Sequence, residues 1–213
     1  MDREQRLLPV LAAITGLAWM VAVLLVAANP KGIDLAGDLA YDRANRVHSL
    51  ALVLLMATAI VVYRAIRTRD LAGERAVQVL VVGTALMLVG NAVAFWGALF
   101  VDQQSEQFWG GSAGWLTYLP GELVVLGSFI ALARAARRWP DVTRTQRWTI
   151  GLVGPLLSAT TITWAISPAA TLVPALGATF ALLTAGTALA HATRSGGDQV
   201  TPKAERHDAE PVG

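Results

Sequence analysis

The sequence predicts an all-α, polytopic integral membrane protein with six transmembrane helices and both termini in the cytoplasm. Three observations predict it. Hydrophobic residues make up 54% of the 213-residue chain and charged residues only 15%, whereas soluble domains carry roughly 25% charge to face water. Mean hydropathy is +0.51, and the apolar residues gather into runs of about 20, the length that crosses a bilayer. Basic residues alternate between rich and empty connections, as the positive-inside rule requires. A globule this poor in charge could not dress its own surface, so water-soluble enzyme folds drop out. The chain has no cysteine, which excludes disulfide frameworks, thiolate catalysis and Cys-ligated metals.

The first span runs from Leu7 to Ala28 and stops before Asn29-Pro30, because the residue before a proline is pushed out of the α region. Arg3 and Arg6 precede it as in a secretory signal, but its apolar run is about twice the typical 7–15-residue core of one. It is read as a retained helix. The second span covers Val47 to Ile66 and the third Val77 to Val101. The fourth covers Thr117 to Ala136, interrupted by Pro120 and Glu122. The fifth covers Trp148 to Ile166, and the sixth Ala169 to His191, entered through Ser167-Pro168. Serine caps helix N-termini and proline suits the first helical position.

Orientation follows from the 17 arginines and lysines. With the N-terminus inside, 14 lie in the cytoplasm and three outside, where Asp34, Asp38 and Asp42 offset them. Were the fourth span not to cross, the arginine cluster from Arg134 to Arg147 would fall outside, against the charge rule at its strongest point. Residues 1–191 thus form one six-helix domain. Residues 192–213, with Gly-Gly, two prolines and almost no large apolar side chain, bury too little to order and form a disordered cytoplasmic tail.

In the first loop, Asp34, Asp38, Asp42 and Arg46 recur every four residues, with Leu35 and Leu39 at the same spacing. This predicts a short helix at the outer surface with an Asp42–Arg46 pair. A cation site there would need closer spacing and a glycine turn, so the aspartates read as a solvated face. The stretch Arg64–Arg67, Asp70, Arg75 is echoed by Arg134–Arg137, Asp141, Arg147, a pattern shared by hairpin duplication and by the charge rule alone.

Polar groups inside a bilayer are costly and mark candidate sites. His48 falls near the outer surface, Glu122 about 8 Å below it and Asn91 about 15 Å below it. Trp96 is expected level with Glu122. These four form the candidate binding cluster, opening outward with Arg46 or Arg43 at its rim. Each also has a plainer account. His48 suits an interfacial water or headgroup. Asn91, in Gly90-Asn91-Ala92, suits hydrogen bonding across a close helix contact. Glu122 follows Pro120-Gly121 and suits a helix dipole or an Arg46 partner. If functional, it serves reversible protonation or cation binding.

Other chemistries fail. His48 and His191 lie at opposite ends of the bilayer, so they cannot hold a haem between them. One histidine within reach of the cluster makes no zinc site, and no His-Glu-x-x-His occurs. Gly110-Gly111-Ser112-Ala113-Gly114 fits the nucleophile-elbow string but lacks the strand that the elbow needs. No phosphate loop occurs. The basic stretch Arg134–Arg138 obeys the topology rule, and nucleic-acid binding is not indicated. No catalytic residue, metal or cofactor is expected. Trp109, Trp115 and Trp164 map to the outer interface and Trp139 and Trp148 to the inner, an aromatic belt, while Trp19 and Trp96 lie deeper. Gly90/Ala94/Ala98, Gly127/Ala131 and Gly177/Ala181 suit close helix contact. Pro155 and Pro174 suit kinks.

Fifteen arginines against two lysines, with abundant alanine, suggest a GC-rich bacterial source. The expected function is that of a non-catalytic accessory, sensory or assembly subunit of the cell (inner) membrane. Its partners are the lipid bilayer and a second copy or another membrane protein. The alternative is a small carrier or channel subunit using Glu122 and Asn91.

Overall fold

The computed structural model describes residues 3–28, 39–97, 113–139, 141–167 and 170–198. Among these it is all-helical, with six long helices and no strand. They are α1 (Arg3–Ala27), α2 (Leu39–Thr68), α3 (Glu74–Phe95), α4 (Trp115–Ala135), α5 (Arg144–Ile166) and α6 (Leu172–Asp198). Ala136–Arg138 add a 3₁₀ turn to the end of α4.

The two basic turns are closed by local chemistry. α2 ends with Asp70 in the left-handed conformation (φ 50°). Asp70 N–H then reaches Arg67 O and Leu71 N–H reaches Ile66 O at 2.9 Å, which together form a Schellman cap. Gly73 (φ 115°) leads into α3. In the second turn Asp141 is also left-handed (φ 56°). Thr143 and Gln146 then start α5 with reciprocal side-chain-to-backbone bonds of 3.2 and 2.9 Å, a capping box. The Trp139 indole is buried and ties the turns together by donating to Ala72 O at 2.7 Å. The echo between the two turns in sequence is therefore an echo in backbone conformation.

Two boundaries differ from expectation. Leu39 to Arg46 are not a separate surface helix but the first turns of α2, which runs 30 residues without a break. No glycine or proline separates them from the span, and Ala44 and Asn45 are buried against neighbouring helices. Asp34, Leu35 and Asp38 lie outside the described residues. At the other end, α6 continues past His191 to Asp198, because Ala192 still packs into the bundle. The rest of the expected tail, from residue 199, lies outside the described residues.

Each helix packs on the next in sequence, and α6 packs back on α1. The six thus form a closed ring. Its axis is apolar: Leu8, Leu55, Leu80, Phe129, Ile150 and Leu182, one from each helix, line a central cavity of about 30 Å³. The outside is apolar too. Leu17 on α1, Leu50 on α2, Val82 on α3, Leu123 on α4, Ile162 on α5 and Phe180 on α6 are all exposed. Exposed apolar faces on every helix are ruinous in water and suit lipid. Five helices (α1–α4 and α6) are long and apolar enough to cross a membrane, and they mark a multi-pass membrane protein. α5 is the more polar helix, with six serines and threonines and Arg147 in its first turn.

Candidate functional site

The α3–α4 contact fixes the depth of the candidate residues. A Cβ on Gly90 would sit 2.6 Å from both Gly114 O and Tyr118 N, and one on Gly121 would sit 2.7 Å from Gly83 O. The two backbones therefore touch at two levels, Gly90 with Gly114 and Gly83 with Gly121. Glycine alone permits this approach, and such contact is the main source of helix adhesion in lipid. The expected pair Gly90/Ala94 is used here, since Gly114 also meets Ala94. Gly127, by contrast, has no atom within 4 Å of its added Cβ, and Gly177 meets only the side chain of Leu156. Ala98 lies outside the described residues.

At the Gly90–Gly114 level the polar groups are spent on one another. Asn91 is buried, and its Oδ1 accepts from Ser49 Oγ of α2. Ser49 Oγ in turn accepts from Trp96 Nε1 at 2.9 Å. Trp96 follows the last residue of α3, and its ring is half-exposed. The Arg46 guanidinium stands 5.9 Å over that ring, a cation–π distance. Arg46 Nε donates to Phe95 O at 3.2 Å, supplying one of the donors that a helix C-terminus lacks. Arg46 thus fastens the start of α2 to the end of α3; the side chain of Arg43 lies outside the described residues.

His48, one residue before Ser49, turns to other helices. Its Nε2 is 2.9 Å from Tyr118 Oη of α4. Its ring packs edge-on against Trp19 of α1, with centroids 4.5 Å apart. Trp115 packs on Tyr118 at 5.5 Å. Three helices are thereby pinned by one buried imidazole.

Glu122 is not joined to this group. It lies one turn below Tyr118, ~6 Å along the axis, and is buried. The Gly83–Gly121 contact puts it beside the middle of α3, and it stands two turns into α4 and not in the first turn. Trp96 is not level with it, since the rise from Gly83 to Trp96 is ~20 Å. The carboxyl faces α5, where the hydroxyls of Ser158 and Thr161 stand against it. Among the described residues no arginine partners it. Its Oε1 is buried without a hydrogen-bond partner among the described residues.

The structure thus brings Asn91 and Trp96 together through Ser49, sets His48 beside them on another bond, and leaves Glu122 apart. Sequence reasoning missed Ser49, Tyr118, Ser158 and Thr161. Ser49 and Tyr118 had a legible signal: Ser49 neighbours His48, and Tyr118 is one helical turn from Glu122. Ser158 and Thr161 are ordinary hydroxyls, and only the packing of α5 singles them out. Among the described residues no cluster of three metal-ligating side chains occurs. Ala113 and Gly114, the last two residues of the string at Gly110–Gly114, lead into α4, and the rest lies outside the described residues.

The Ser49–Asn91 bond should show in stability. A double-mutant cycle of Ser49→Ala and Asn91→Leu, read by unfolding in mixed micelles, is expected to give a favourable coupling of about 0.6 and at most ~1.7 kcal/mol. Additive effects would remove the bond from the account of helix adhesion.

Compared with protein-family models, with curated proteins and with solved structures, the chain matches none.

Proposed function

We propose that the chain is a six-span, N-in/C-in protein of the cell (inner) membrane of a bacterium that acts without catalysis, as an accessory, sensory or assembly subunit. One observation carries this reading: the outer polar residues are consumed in fastening helices to one another. Asn91, Ser49 and Trp96 form one chain of bonds and His48 and Tyr118 another. Both run from helix to helix, so their polar atoms hold the bundle together. The apolar axis supports it further, because a ring closed by leucine and phenylalanine offers no polar path through its centre.

The sixth span rests on α5. Its outward residues Leu152 and Ile162 are exposed like those of its neighbours, and it fills the ring between α4 and α6. Orientation rests on the basic turns at Arg64–Arg75 and Arg134–Arg147, against the outer connection between α3 and α4, which has no basic residue. The cysteine-free chain makes the topology directly testable. Ser112→Cys and Ser167→Cys are expected to react with a membrane-impermeant maleimide on intact cells. Thr145→Cys is expected to react only after the membrane is opened. Reaction of Ser167→Cys and Thr145→Cys from one side would remove α5 from the spans.

The carrier or channel reading, in which Glu122 and Asn91 act together, draws on the orphaned Glu122 oxygen. Asn91, held by Ser49, contributes less to it. Proteoliposomes carrying a pH or solute gradient separate the two readings. The expected result is no flux that depends on Glu122. A flux abolished by Glu122→Gln would replace the accessory reading with the carrier.

A further inference from the structure

Most charges in the described helices sit near helix ends, but Glu122 does not. It is 6% exposed, level with the middle of α3, and has one carboxyl oxygen with no hydrogen-bond partner. An intramembrane carboxyl is expensive and persists where it serves a ligand or a partner charge. No partner charge stands against it among the described residues. From α5 it is faced by Ser158 and Thr161. From α3 its level is occupied by Gly83 and Leu86, which meet its neighbour Gly121. On its own helix Tyr118, one turn above, is committed to His48. Among the described residues no lysine, arginine or second carboxyl acts on it.

The seam itself is tight. A Cβ on Gly154 would lie 2.8 Å from Leu126 Cα, so α4 and α5 are in backbone contact one turn below the carboxyl. That contact presses Ser158 and Thr161 against Glu122 and seals the seam from the inner side. Three oxygen-bearing side chains therefore converge in an apolar setting around one carboxyl that has no partner charge among the described residues.

The geometry points to a small monovalent cation as the missing partner: Glu122, Ser158 and Thr161 form an intramembrane site occupied by a proton or an alkali-metal ion. Both supply the same chemistry, a single positive charge small enough for a closed seam. A proton adds to one carboxyl oxygen and needs no further ligand. An alkali ion would draw on the carboxylate and both hydroxyls, oxygen donors of the kind that hard cations prefer. The site does not depend on whether the protein is an accessory subunit or a carrier. It asks only for binding.

The test uses the full chain in nanodiscs, with infrared difference spectra recorded as pH is lowered, first in choline and then in sodium buffer. The expected result is a protonated-carboxyl band that rises with acidity and is wholly lost in Glu122→Gln. Thr161→Val is expected to shift its midpoint, while Thr184→Val, on a different helix, leaves it in place. A band unaffected by sodium identifies the proton as the ligand. A band suppressed by sodium identifies an alkali-ion site. A Glu122-dependent band that is absent at every pH, or present and unmoved by both pH and sodium, overturns the proposal. Labelling with a hydrophobic carbodiimide gives an independent reading. Its carbon is attacked by the carboxyl oxygen while the acid proton passes to its nitrogen, and the adduct should map to Glu122 and form more slowly as pH rises.

Discussion

Gly90→Val is expected to destabilise the protein by about 3 kcal/mol or more, the upper end for overpacking a closed core. The atoms its side chain would meet, Gly114 O and Tyr118 N at 2.6 Å from the Cβ alone, are backbone. They cannot swing aside as a side chain would, so α3 and α4 must separate. Separation also carries Tyr118 away from His48, and a second inter-helix bond is lost with the first. Unfolding in mixed micelles should show a much lower midpoint for Gly90→Val. Gly127→Val on the same α4 should leave it nearly unchanged, because nothing lies within 4 Å of that position. Equal effects at the two positions would mean that glycine acts through helix propensity and not through close packing.

Trp19→Ala is expected to cost about 3 kcal/mol, the lower end for truncating a buried tryptophan. The lower end applies because lipid is as apolar as the protein interior, so the transfer part of the loss shrinks and the cavity part remains. Trp19 is 1% exposed and lies against the ring of His48. Trp19→Phe should cost much less. The indole Nε1 is buried with no hydrogen-bond partner among the described residues, so removing it relieves an unmet donor while keeping an aromatic face. The same unfolding assay checks both. A phenylalanine variant as weak as the alanine one would show that Nε1 is satisfied in the membrane.

Much of the fold could be read from residue order because lipid imposes a simple rule. Every backbone group must be paired inside the segment, so long apolar runs become helices. The effect of proline on the residue before it sets the end of the first span ahead of Asn29-Pro30, and the charge rule sets the two turns at their arginines. Residue order misjudged Leu39–Arg46 because charge pattern alone cannot tell a helix on the surface from the first turns of a longer one. It overshot on the tail because Gly196-Gly197 suggested a break that the packing of Ala192 postpones. The site was legible only in part. Residue type singled out His48, Asn91 and Glu122, and topology gave their approximate levels. Which neighbour each one faces depends on helix rotation. The Gly83–Gly121 and Gly90–Gly114 contacts set that rotation, and residue order does not show which glycines meet across two helices.

The closed ring has a consequence for how the protein is made. Five of its six seams join helices adjacent in the chain, so each can form as soon as the next hairpin enters the membrane, with little loop-closure entropy to offset. The seam between α1 and α6 is different. There Thr179 Oγ1 donates to Gly16 O at 3.1 Å, and Gly186 packs against Ala12, contacts that exist only once the last helix has been synthesised. Until then α1 waits with one flank open. α6 is thus the latch of the ring, and until it enters the membrane the other five helices form an unclosed arc.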